Sequence, residues 1–262
     1  MKQLNPPILG LNFYFPNLLE ADAFMHLAIT LLNLGATFTG DASVHHEANI
    51  RSKSFASITD NPLPEDIKLD TSNLRQILLE PNHRVIQIKM RNASGIQTET
   101  DEVITYLSIS PSASQRDRHP LAIWTEGWLF EGSSSRKNSG QSQKEGRKLY
   151  NRFCTLIKEL RPAYAAITIE ISLECPTDLR YDPRSYAFLN FFVNEDFLGK
   201  SNLSRIEGLF QNAYIEQVDG GLYISCSKEF NPRGIQLNSE EALWHSVEVA
   251  KLLSEIVHWR YT

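Results

Sequence analysis

Cysteine is scarce here: Cys154, Cys175 and Cys226 are the only three in 262 residues. Odd in number and widely spaced, they offer neither a disulfide framework nor the Cys-x-x-Cys spacing of zinc and redox sites. Basic charge is also short, with 26 Lys and Arg against 31 Asp and Glu, a formal −5. That balance argues against a chain whose affinity comes from neutralising phosphates or an anionic membrane. Long apolar runs are missing too. The longest stretch, Ile8 to Leu34, is broken by Asn12, Asn17, Glu20, Asp22 and His26, each costly to bury in a bilayer. The first residues, Met1 to Pro7, carry one lysine and two prolines and no apolar core of a secretion signal. There is no Gly-x-Gly-x-x-Gly, phosphate loop, His-Glu-x-x-His or Gly-x-Ser-x-Gly. The expectation is a cytoplasmic protein with buried thiols, no cofactor, and no nucleic-acid or membrane partner. Its oligomeric state is left open.

What is present is enough for a core, since 42% of the residues are apolar and 22% charged. Leu9, Leu11, Phe13 and Phe15 alternate with Gly10, Asn12 and Tyr14, the period of a strand. Asn17 and Glu20 then open a helix whose Phe24, Leu27, Ala28 and Leu31 share a stripe up to Gly35. A strand from Thr37 to Glu47, a short helix from Leu74 to Leu79, and strands Arg84–Arg91 and Val103–Ser110 follow. A second series starts with the strand Leu121–Glu131 and a polar stretch, Ser133 to Ser142, that reads as a loop. It continues with a helix carrying Leu149, Phe153, Leu156, Ile157 and Leu160 that stops before Pro162, and strands Tyr164–Leu173 and Tyr186–Asn194. Then come a helix Leu203–Phe210, strands Tyr214–Val218 and Leu222–Ser227 joined at Asp219-Gly220-Gly221, and a last helix Ser239–Val257.

Adding 129 to each number superimposes the two series. Phe24 falls on Phe153, Leu27 on Leu156, Leu31 on Leu160, Thr39 on Thr168, Asp41 on Glu170, Leu74 on Leu203 and Ile86 on Ile215. The spacing predicts an α+β protein of two related β-α-β-(α)-β-β halves, residues 1–118 and 119–262, or the two fused as one domain. Helices would cover one face of a largely antiparallel sheet, with a C-terminal helix added.

If helices cover one face, alternation assigns the other to solvent or a ligand. That face collects Asn12, Tyr14, Asp41, Ser43, His45, Glu47, Gln87, Lys89, Arg91, Trp124, Glu126, Trp128, Thr168, Glu170, Ser172, Glu174, Tyr223 and Ser225. The candidate binding residues are Tyr14, Trp124, Glu126, Trp128, Glu170, Glu174 and Tyr223, an aromatic and acidic platform suited to a protein partner. The bland reading is that another part of the chain or a second subunit covers the indoles. An alternative uses Asp41, His45, Glu126 and Glu170 as a general acid–base set in a hydrolase. His45-His46-Glu47 cannot supply three convergent metal ligands, because His46 faces away from its neighbours on a strand. A further alternative is a sensor that holds a small molecule between the halves.

The segments Tyr164-Ala165-Ala166-Ile167, Tyr186 to Phe192, Gly220-Gly221-Leu222-Tyr223-Ile224-Ser225 and Phe230-Asn231-Pro232 resemble the bacterial polymorphic-toxin immunity proteins of the Immunity protein 52 type. The resemblance covers about a third of the chain. It implies an α+β protein that binds and neutralises a cognate toxin without catalysis, and it transfers no binding residue. An acidic chain suits a basic toxin partner by charge complementarity.

Overall fold

The computed structural model describes residues 8–16, 20–46, 65–80, 83–96, 101–106, 120–126, 139–169, 190–210, 213–225 and 251–252. In chain order these form β1 (Ile8–Tyr14), α1 (Glu20–Asn33), β2 (Thr37–His46), β3 (Glu65–Lys68), α2 (Leu74–Leu79), β4 (His83–Arg91), β5 (Asp101–Tyr106) and β6 (Leu121–Glu126). Then follow α3 (Ser139–Leu160), β7 (Tyr164–Ile169), β8 (Asn190–Asn194), α4 (Glu195–Leu198), α5 (Lys200–Leu209), β9 (Tyr214–Val218) and β10 (Gly221–Ser225). The protein is α+β, and all ten strands form one sheet in the order β3-β2-β4-β5-β6-β1-β7-β8-β10-β9. Every pairing is antiparallel.

Local chemistry sets the boundaries. Helix α1 ends where Gly35 takes φ +86, and Ala36 N–H donates to Leu31 O while Gly35 N–H donates to Leu32 O. This is the left-handed stop that glycine adopts without a Cβ penalty. Asp219 and Gly220 both take positive φ, which turns β9 tightly into β10. Gly221 has a different constraint, since a Cβ there would strike the Val193 carbonyl and the Phe192 ring. Helix α3 begins at Ser139, so the last residues of the Ser133–Ser142 stretch are helical rather than loop. Hydrophilic side chains do not oppose a helix whose first turns face water.

One apolar layer covers the first face of the sheet, and a second covers the other face from β1 to β10. On one face, Leu9, Leu11, Phe13, Ala42, Val44, Ile86, Ile88, Val103, Ile123, Ala165 and Ile167 meet Phe24, Leu27 and Leu31 of α1, and Phe153, Leu156 and Leu160 of α3. The helical stripes expected from sequence are therefore the ones buried. On the other face, Tyr14, Tyr164, Ala166, Phe191, Val193, Leu222 and Ile224 meet Phe197, Leu198, Leu203, Ile206 and Leu252. At about 1.5–3 kcal/mol per fully buried large apolar side chain, both layers contribute substantially to stability.

The two series share element order but not placement. Helix α2 packs beside α1 on the first face, whereas its counterpart α5 lies on the second. Hairpin β4–β5 lies inside the sheet, with β4 on β2 and β5 on β6, while hairpin β9–β10 ends the sheet and joins it through β10 on β8. Strand β1 sits between β6 and β7, hydrogen-bonded to both. The halves thus meet strand to strand in one continuous sheet, and a cut after residue 118 would separate β1 from both of its partners.

Candidate functional site

Cross-strand register fixes which side chains share the second face, because directly opposed residues point to the same side. One row runs from Lys89 across β5 to Trp124, Gly10 and Thr168. The next runs from Ser43 and Gln87 across β5 to Ala122, Asn12, Ala166, Phe191, Ile224 and Ile215. The alternation expected from sequence therefore assigns Asn12, Ser43, Gln87, Lys89, Trp124 and Thr168 to one side. What differs is exposure.

At the centre, Asn12 is fully buried, Thr168 is 4% exposed and Trp124 is 9% exposed. Asn12 Nδ2 donates to Thr168 Oγ1 at 2.9 Å. Small residues surround this pair: Ala122 and Ala166 flank Asn12, and Gly10 lies between Trp124 and Thr168. A Cβ on Gly10 would sit 2.9 Å from Asn12 Nδ2, Thr168 Oγ1 and Trp124 Cζ3. The indole and the two polar groups thus close over the glycine and fill the niche.

The aromatic platform is corrected accordingly. Tyr14 is buried and stacks on Tyr164, with ring centroids 4.6 Å apart, and Phe197 meets it edge-on. Trp124 is packed on the sheet rather than open to solvent. Tyr223 lies on the opposite face from Trp124, against Phe153 and Tyr150 beneath α3. Its hydroxyl donates to Asn190 Oδ1 at 2.9 Å, and Ser225 Oγ donates to the same oxygen at 2.6 Å. The physical reason is double coverage. Helix α3 lies over one side of β8 and β10, and α4 and α5 over the other, so every residue of both strands is buried. Alternation then marks two interiors instead of an inside and an outside. Trp128, Glu170 and Glu174 lie outside the described residues, and so does the Glu126 side chain at the end of β6.

Of the acid–base set, Asp41 and His45 share β2, and the Glu126 side chain and Glu170 lie outside the described residues. Asp41 is on β2 and Glu126 on β6, three strand steps apart in the sheet, or about 14 Å at ~4.8 Å per step. Asp41 is instead ion-paired with Lys68 Nζ at 2.8 Å on the neighbouring strand. A hydrogen bond from that lysine, and its charge, hold the Asp41 carboxyl below the usual range. His45, on the same side of β2, is buried at 4% exposure. Among the described residues no three His, Cys, Asp or Glu converge as metal ligands, and no helix is long and apolar enough to cross a membrane.

Other polar groups that the sequence did not single out are committed to one another. Asp101 is fully buried and accepts from Ser94 N–H at 2.7 Å and Ser94 Oγ at 3.1 Å. Arg152 reaches from α3 to Leu34 O at 3.2 Å, at the end of α1, and to Asn92 O at 3.4 Å. Glu216 on β9 accepts from Tyr150 OH at 2.6 Å and Tyr214 OH at 2.9 Å. Burial pushes the Tyr150 phenol well above its ordinary value, and it raises the Cys154 thiol one turn along the helix. No sequence motif marks these contacts, since their members are separated by up to 118 positions.

Charge collects at the β3 end of the sheet. Glu65, Asp66, Asp41 and Asp70 are exposed there, and the one lysine of β3, Lys68, is the partner of Asp41. Asp66 Oδ1 also accepts from Ser43 Oγ at 2.7 Å. Asp70 accepts from the Ser72 hydroxyl and from the backbone N–H groups of Asn73 and Ser72 at the entry to α2, and these bonds, the hydroxyl's foremost, depress its pKa. The arrangement leaves carboxylates exposed to solvent along a terminal strand.

No family model matches the chain, and no curated protein matches it. Among solved structures it is similar to the Pseudomonas aeruginosa T6SS protein PA0821, with 12% identity over 94% of this chain and 72% of that one, at a TM-score of 0.41. A likeness of that size carries no functional argument.

Proposed function

We propose that this chain is a non-catalytic binding protein of immunity type, which neutralises a cognate basic toxin through its surface. The observation that carries this reading is where the carboxylates are spent. Asp101 is held by Ser94, Glu216 by two tyrosines, and Asp41 by Lys68, while Asp41 and Glu126 stand on strands three steps apart in the sheet. Support for a basic partner comes from the net charge of −5 and from the exposed carboxylates around β3. Such charge speeds encounter and selects the sign of the partner more than it adds affinity. Tyr14, Trp124 and Tyr223 are packed in the interior, so recognition rests on the margins of the sheet and on the helices.

The test is a growth assay together with a binding measurement. Where the native locus carries a toxin gene beside this one, cells expressing that toxin are co-transformed with this chain, and association of the purified pair is followed at low and high salt. Rescue with a salt-sensitive association rate is expected. Absence of both rescue and binding overturns the reading. Turnover of a substrate that Glu170→Gln abolishes without loss of stability would establish the hydrolase in its place.

A further inference from the structure

We draw no further inference here: the strongest candidate, the acidic outer margin of β3 around Asp41, Glu65 and Asp66, belongs to the surface already described, and nothing in the structure shows what covers it.

Discussion

Asn12 donates its side-chain amide to Thr168 Oγ1 across 2.9 Å, linking two strands 156 positions apart in the chain. Both side chains are buried at the centre of the sheet, where a polar pair persists because each member answers the other. Removing either partner takes from the other a hydrogen bond made in a buried site, and removing both forfeits that bond only once.

Asn12→Ala and Thr168→Val are therefore each expected to destabilise the fold by about 1–3 kcal/mol, and the double variant by less than their sum. Urea denaturation of the four proteins checks this. Strict additivity would show that the bond contributes nothing of its own.

Gly10→Ala places a methyl group 2.9 Å from Asn12, Thr168 and Trp124 at once. The cost expected for overpacking a filled niche is about 1–3 kcal/mol. Because the Trp124 ring must move to accept the methyl group, the near-ultraviolet circular dichroism of the folded protein should change as well. An unaltered spectrum and unaltered stability would mean that the indole does not close over the glycine.

Arg152→Met removes the hydrogen bonds to Leu34 O and Asn92 O and keeps most of the apolar stem. A loss of about 1–3 kcal/mol is expected, as for hydrogen bonds made by a charged donor. Amide exchange should quicken at the end of α1 and in the β4–β5 connection, both of which the guanidinium holds. Uniform exchange across the molecule would show that the side chain does not tie these segments together.

The tyrosines give a test at alkaline pH. Burial raises the phenols of Tyr150 and Tyr223 above their ordinary value of 10.0. A folded pKa above the unfolded one means that stability is fully present below about pH 10 and declines as pH rises towards the folded values. Spectrophotometric titration should leave these two phenols protonated at pH 11 while exposed tyrosines ionise. Tyr150→Phe should flatten the alkaline fall in stability. Ionisation of all tyrosines together near pH 10 in folded protein would contradict the burial.

At the β3 margin the effect is electrostatic and reads out without unfolding. Asp41 titrates below 3.8 because Lys68 bonds to it and carries the opposite charge. A depressed folded pKa contributes stability above the unfolded value that is lost as pH falls through the folded one. This pair is exposed, so salt should weaken it. Carboxyl chemical shifts followed by NMR should show the Asp41 midpoint moving up towards 3.8 in Lys68→Gln or in high salt. A midpoint unmoved by either change would remove Lys68 as the cause.

Much of the local structure was written in the order of residues. The stripe Phe24, Leu27, Leu31 and its echo Phe153, Leu156, Leu160 face the core as their spacing demands. Helix α2 occupies Leu74–Leu79 as read from sequence, Gly35 ends α1, and the Asp219-Gly220 turn makes the β9–β10 hairpin. The candidate site was less legible. Alternation gave the shared side of Asn12, Trp124 and Thr168 correctly, yet it could not say that this side is closed at its centre. It also misassigned Tyr223, which lies under α3. The trio Asn190, Tyr223, Ser225 and the Ser94–Asp101 pair have no local signature at all.

The sequence by itself determined the period of each element, the turns, and the sign of the surface charge, because these depend on neighbours within a few residues. Only the tertiary structure decided that one sheet runs through both halves, that α2 and α5 fall on opposite faces, and that aromatic residues of the second face are enclosed. Those outcomes depend on which distant segment comes to rest against each strand, and alternation along a single strand carries no record of that.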